Sequence, residues 1–180
     1  MDLDDRALVA LAGLLRVRHS IDDEIATLIG RPPTSGNVGE VVAAAIFDIE
    51  LEPTGAKAGY DGHFRSGPLA GTTVNVKAYA ERTTLLDISA HPCDWYLVLM
   101  GPPRATADRG RSLPFRIANV YLFGSPALLQ QLRAAGVGIG IATSVRRAMW
   151  EAACVHPTRA EPVPLRLTPH QVEMLKLFVP

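Results

Sequence analysis

The run Trp95-Tyr-Leu-Val-Leu-Met constrains this chain more than any other segment. It is apolar throughout, so it reads as a central strand buried on both faces. Such a strand sits inside a sheet with helices packed on both sides. Thr72-Thr-Val-Asn-Val-Lys-Ala-Tyr alternates in the strand sense. Residues 85–89, 115–123 and 138–143 supply further strands.

Helical signals flank these strands. Leu8, Leu11, Leu14 and Leu15 recur at helical spacing. A second helix fits residues 22–29, with Ser20 as its N-cap. After the loop Gly30-Arg-Pro-Pro, a third helix begins near Asn37 and carries Glu40 in its first turn. Ser125-Pro126 opens a helix that ends at Gly136, and Ser144 caps another that runs to Ala153. Thr168-Pro169 opens a last, amphipathic helix ending at Phe178. The predicted fold is α/β: a mixed sheet of about five strands with helices on both sides. One domain spans 1–180. Its N-terminal helices pack as a cap over about 1–35, the α/β core covers about 36–157, and a tail helix lies in about 158–180.

Composition narrows the setting. No apolar run approaches the ~20 residues that span a bilayer. The opening Met1-Asp-Leu-Asp-Asp is acidic and does not read as a secretory signal. Cys93 and Cys154 lie far apart with no CxxC pairing, as in a cytoplasmic protein with reduced thiols. Net charge is zero but unevenly spread. Residues 1–52 hold ten acids and four bases, a balance of −6; residues 53–180 hold eight and fourteen, a balance of +6. That asymmetry permits a basic surface on the later part.

Phosphodiester hydrolysis needs a hard cation on the phosphate, an activated water and relief of developing charge. This chain offers suitable groups in a suggestive order. Glu40 sits on an Ala-rich helix, and Asp61 follows in the turn-rich Ala58-Gly-Tyr-Asp-Gly. Asn75 and Lys77 are two apart on a strand, so they share a face, while Val76 points to the other face with its carbonyl available. A lysine on an apolar strand is costly unless it is paired or opens onto a cleft. The competing readings are an edge-strand lysine, an Asp-Gly turn and an acid favoured by a helix dipole.

The pattern Gly39-Glu40, Gly59-Tyr-Asp-Gly62, Val74-Asn-Val-Lys77 and Asp94-Trp-Tyr-Leu-Val-Leu99 resembles the restriction-endonuclease-like PD-(D/E)XK nuclease superfamily, within an uncharacterised bacterial family. The resemblance implies a restriction-endonuclease-like sheet, Glu40 and Asp61 as metal ligands with the Val76 carbonyl, Lys77 as catalytic lysine, and Mg2+ or Mn2+ as cofactor. It also implies nucleic acid as partner, DNA first, with a homodimer for cutting both strands. Asn75 departs from the pattern, which usually carries Asp or Glu there, although some members resemble this chain in using a neutral amide, typically Gln. The alternative is therefore a catalytically inactive nucleic-acid-binding or assembly module of the same fold.

Arg65, Arg104, Arg109, Arg111, Arg146 and Arg147 are the candidate phosphate contacts, with Arg116 beside the 101–112 loop. The competing reading for each is a solvated surface charge. His63, near Asp61, is an accessory candidate or a loop residue, and Asp87 and Asp94 are candidate supporting acids or strand-end residues.

Overall fold

The computed structural model describes residues 4–53, 59–105, 112–161 and 163–179. Helix α1 (Asp5–Ile29) starts where Asp4 accepts the Ala7 N–H, and it ends at Gly30 in the left-handed region. It is one helix where the sequence predicts two. No Gly or Pro interrupts residues 16–21, and Arg18–Asp22 and His19–Asp23 pair across the expected break. Ser20 is therefore an interior residue, not a cap. The expected cap packing is absent too: α1 buries no residue.

Helix α2 (Ser35–Phe47) begins two residues earlier than predicted because Thr34 accepts the Asn37 N–H. Glu40 therefore lies in its second turn, beyond the strongest influence of the helix dipole.

Six strands form the main sheet: β1 (Ile49–Leu51), β2 (Gly62–Phe64), β3 (Thr73–Tyr79), β5 (Trp95–Met100), β6 (Asn119–Gly124) and β8 (Cys154–His156). They lie in the order β1-β2-β3-β5-β6-β8. β3 and β5 run parallel, and the other described neighbours are antiparallel. The link between the parallel pair, residues 80–94, carries the short strand β4 (Leu85–Leu86) rather than a helix. β4 pairs with β7 (Thr143–Ser144) as a small second sheet.

β5 is apolar at every position because both of its faces are covered. Leu97 and Leu99 join Val74, Val76, Val120 and Leu122 under α2 and the tail helix α5 (Pro169–Lys176). Tyr96, Val98 and Met100 face the opposite way. There they meet Leu128 and Leu132 of α3 (Ser125–Ala134), Trp150 of α4 (Arg147–Ala152) and Leu86 of β4. Burying each such aliphatic side chain contributes roughly 1.5–3 kcal/mol of transfer free energy.

Several predicted bounds shift. Ser125 is the first residue of α3, with Gly124 at the cap position. Ser144 pairs in β7 and does not cap α4, whose N-cap position is Arg146. Residues 138–142 form no strand; Ile141 is 89% exposed and has no core to enter. The tail is part of the core, since Leu175 is fully buried and Gln171 Nε2 donates to the Ile46 carbonyl. Among the described residues, no helix is long and apolar enough to cross a membrane.

Candidate functional site

The site forms where the antiparallel hairpin meets the parallel pair. β2 pairs with β3 only over Thr73 and Val74, while β3 continues beside β5 to Tyr79. The edge of β3 beyond Val74 therefore loses its neighbouring strand. Asp61 takes over there with its side chain: its N–H donates to the Val74 carbonyl, and its Oδ2 accepts the Val76 N–H at 2.6 Å. In an extended strand a residue's N–H and C=O point to the same edge, so the Val76 carbonyl also faces Asp61. The Val76 side chain lies in the α2 core with Val74.

Gly59 makes this turn feasible. It sits at φ +110°, and a Cβ there would come within 2.6 Å of the His91 side chain. Gly39 does the equivalent for α2. A Cβ at Gly39 would collide with Ala78, so the glycine lets the helix lie directly on β3 and brings the next residue, Glu40, to the strand.

Glu40 is held by a residue absent from the sequence-based list. Arg31 donates to Glu40 Oε2 at 2.7 Å and to the Glu52 carbonyl at 2.8 Å. Both partners of the ion pair are only about a fifth exposed. The left-handed turn at Gly30 puts Arg31 between α1 and α2, where it reaches Glu40 first. Lys77, by contrast, has no carboxylate within ion-pair distance among the described residues. Glu40 takes its close ion pair from Arg31, and the Lys77 charge acts on it from farther away.

Burial raises the pKa of Glu40, and the neighbouring Asp61 charge raises it further, against the lowering effects of Arg31 and Lys77. Asp61 is also raised by burial, opposed by the Val76 N–H and by the charges of Lys77 and Arg31. Two carboxylates thus share one partly desolvated region with Lys77. Asn75 is 5% exposed; its Nδ2 donates to the Gly59 carbonyl, and its Oδ1 is buried with no partner among the described residues. An acceptor left unpaired in this way is costly.

This donor set suits a hard cation: two carboxylates, a main-chain carbonyl and an orphan amide oxygen. Among the described residues, no three His, Cys, Asp or Glu side chains gather as a metal cluster.

The remaining candidates are dispersed. Arg65 binds Asp48 at 2.6 Å, Arg104 binds Glu81 at 2.7 Å, and Arg147 binds Glu151 at 2.7 Å. Arg146 and Arg116 are exposed. Arg109 and Arg111 lie outside the described residues. His63 sits on β2 opposite Glu50 rather than in a loop, with Nδ1 3.7 Å from Glu52 Oε1. Asp94 caps the start of β3 through the Thr73 N–H, and Asp87 accepts the Ala142 N–H, so both have structural partners. A cleft of about 320 Å3 lined by Arg82, Tyr121 and Trp150 also includes Arg147, but none of Glu40, Asp61, Asn75 or Lys77.

The residue that sequence reasoning missed is Arg31. Its only signal is its place between a helix-ending glycine and the Pro32-Pro33 pair, which any loop arginine shares. The chain matches no protein-family model, and no curated protein is significantly similar to it.

Proposed function

We propose that this chain is a PD-(D/E)XK-type nuclease that hydrolyses phosphodiester bonds of DNA with Mg2+ or Mn2+. One observation carries the reading. Asp61 and Glu40 are two partly buried carboxylates beside the stretch of β3 edge that has no neighbouring strand, and Lys77 stands close enough to shift both. Arg31 pairs with Glu40, which leaves Lys77 with no carboxylate within ion-pair distance among the described residues.

In this reading Asp61, Glu40 and the Val76 carbonyl would hold the cation, and Asn75 would add a neutral oxygen. The bound ion supplies Lewis-acid polarisation of the phosphate and a more acidic water. Lys77 orients the attacking water and stabilises charge that develops on the phosphate. Arg31 holds Glu40 in place and opposes the rise in its pKa. The water oxygen bonds to phosphorus and gives up a proton, the ester P–O bond breaks, and the departing alkoxide takes up a proton to leave as a hydroxyl. Arg65, Arg104 and Arg147 have surface salt bridges worth little each, so a DNA phosphate can replace those partners. The reading places the protein with cytoplasmic nucleic acid.

Asn75 favours a second reading. It removes a negative charge from the cation shell, and the same fold would then bind nucleic acid without cutting it. Metal-dependent cleavage of plasmid and single-stranded DNA by wild type and by Lys77→Ala separates the two.

A further inference from the structure

β3 ends at Tyr79, two residues beyond Lys77. Side chains alternate between the faces of a strand, so Asn75, Lys77 and Tyr79 share one face. At the rise of a strand, Lys77 and Tyr79 stand about 6.6 Å apart, close to one nucleotide step along a single strand. A chain of nucleotides with a phosphate at Lys77 therefore has its neighbouring unit within reach of Tyr79.

A groove of about 530 Å3 opens at that point, and Tyr79, Leu85, Asp87 and Ala142 are among the residues that line it. Pockets that take small ring compounds run to roughly 300–1,000 Å3. Leu85 is 42% exposed and, with the Tyr79 ring, gives the groove apolar walls. Asp87 supplies a fixed acceptor. Its Oδ1 accepts the Ala142 N–H at 2.8 Å. The Tyr79 hydroxyl accepts the Asp87 N–H at 2.9 Å and hydrogen-bonds the carboxylate as well. A carboxylate has about four acceptor positions, so capacity is left over. Among the described residues no cation pairs with Asp87, whereas Glu81, the other acid of the lining, is already paired with Arg104 at 2.7 Å. Ala142 is held at φ +57°, in the left-handed region that alanine enters only at a cost. Strain of that kind gathers at binding sites.

Apolar walls around an unpaired carboxylate suit a flat ring that donates a hydrogen bond from its edge. Cytosine does so: it presents an amino group where uracil and thymine present a carbonyl oxygen. A uracil oxygen in the same place would meet Asp87 acceptor to acceptor.

We propose that this groove takes the base of the nucleotide next to the phosphate at Lys77, from a single strand, and that Asp87 selects cytosine over uracil and thymine. The proposal rests on the reading that Lys77 meets a nucleic-acid phosphate.

The test measures fluorescence anisotropy of labelled oligodeoxycytidylate and oligodeoxyuridylate of equal length on the full chain in Ca2+, and cleavage of both strands in Mg2+. The two strands differ only at the edge of the base. Wild type binds the cytosine strand about tenfold more tightly. An amide turns its N–H toward the uracil oxygen as readily as its oxygen toward the cytosine amine, so Asp87→Asn removes the preference. Asparagine keeps an oxygen for the Ala142 N–H, and an unchanged melting point verifies the fold. Leu85→Ser, at an exposed position of the lining, weakens both strands alike by roughly fivefold. Lys77→Ala weakens both and keeps the preference. A wild type that binds the two strands equally, or binds neither, overturns the proposal, as does a preference that survives Asp87→Asn. Equal cleavage of both strands with equal affinity overturns the groove and keeps the nuclease reading. An Asp87-dependent preference without any cleavage keeps the groove and ends the nuclease reading.

Discussion

Asp61 Oδ2 accepts the Val76 N–H at 2.6 Å, so a carboxylate does the work of a missing strand at the edge of β3. One side chain is thus both a ladder partner and one donor of the candidate cation shell. Separating these roles gives a first prediction. Burial raises the Asp61 pKa above its ordinary 3.8. A raised value means the folded state holds this proton more tightly than the unfolded chain, so the favourable contribution is full below about pH 3.8 and is lost as pH rises through the raised value. Asp61→Asn keeps an oxygen for the Val76 N–H and removes the charge. In chelator it melts higher than wild type at neutral pH, and the difference vanishes in acid. A gain that is larger in acid contradicts this assignment.

Asn75 tests the composition of the shell. Asn75→Asp places an anion at a position that is 5% exposed and gives up the amide bond to Gly59. Without metal, the variant loses about 1–3 kcal/mol of stability at neutral pH. With Mn2+ in a calorimeter, it binds roughly tenfold more tightly than wild type, because a charged oxygen replaces a neutral one. Unchanged metal affinity would remove Oδ1 from the proposed shell.

Gly39 tests the placement of Glu40. Gly39→Ala drives a methyl group into Ala78, which forces α2 off β3. Urea unfolding of this variant shows a loss of about 1–3 kcal/mol, as for other overpacked cores. The melting shift produced by Mn2+ shrinks as well, because Glu40 moves with the helix. Wild-type stability in this variant would mean the helix approaches less closely than described.

Arg31 tests the balance of charge before a cation arrives. Arg31→Ala leaves Glu40 beside Asp61 without its nearest cation. The metal-free protein then loses about 1–3 kcal/mol at neutral pH. Mn2+ raises its melting point by more than it raises that of wild type, since the ion now supplies all the neutralisation. An equal Mn2+ shift in both proteins would show that Glu40 does not meet the ion.

Much of the frame could be read from the chain because its strongest elements are self-contained. The six residues Trp95–Met100 are apolar for a local reason, two covered faces, and their assignment needed nothing distant. Lys77 stood out because a charge in such surroundings demands a reason. Asp61 stood out because glycines flank it. What stayed hidden depends on distant partners. β1 and β2 are three residues each and carry Glu50 and His63 on their open side, so no apolar alternation marks them. Ser20 carries a capping signal that a continuous run of helix formers overrides. Arg31 becomes a site residue only when α1, α2 and β1 converge on it. The tail belongs to the core through a bond between Gln171 and Ile46, residues with no sequence relation.

The most direct measurement is divalent-dependent cleavage of supercoiled plasmid and of single-stranded DNA, with Mg2+ and then Mn2+, comparing wild type with Lys77→Ala. The nuclease account predicts cleavage by wild type that stops in chelator and falls by a factor on the order of 100 or more in Lys77→Ala, with metal binding retained. Folded, metal-bound wild type that cuts neither substrate would contradict it, as would a Lys77→Ala protein that cuts as well as wild type.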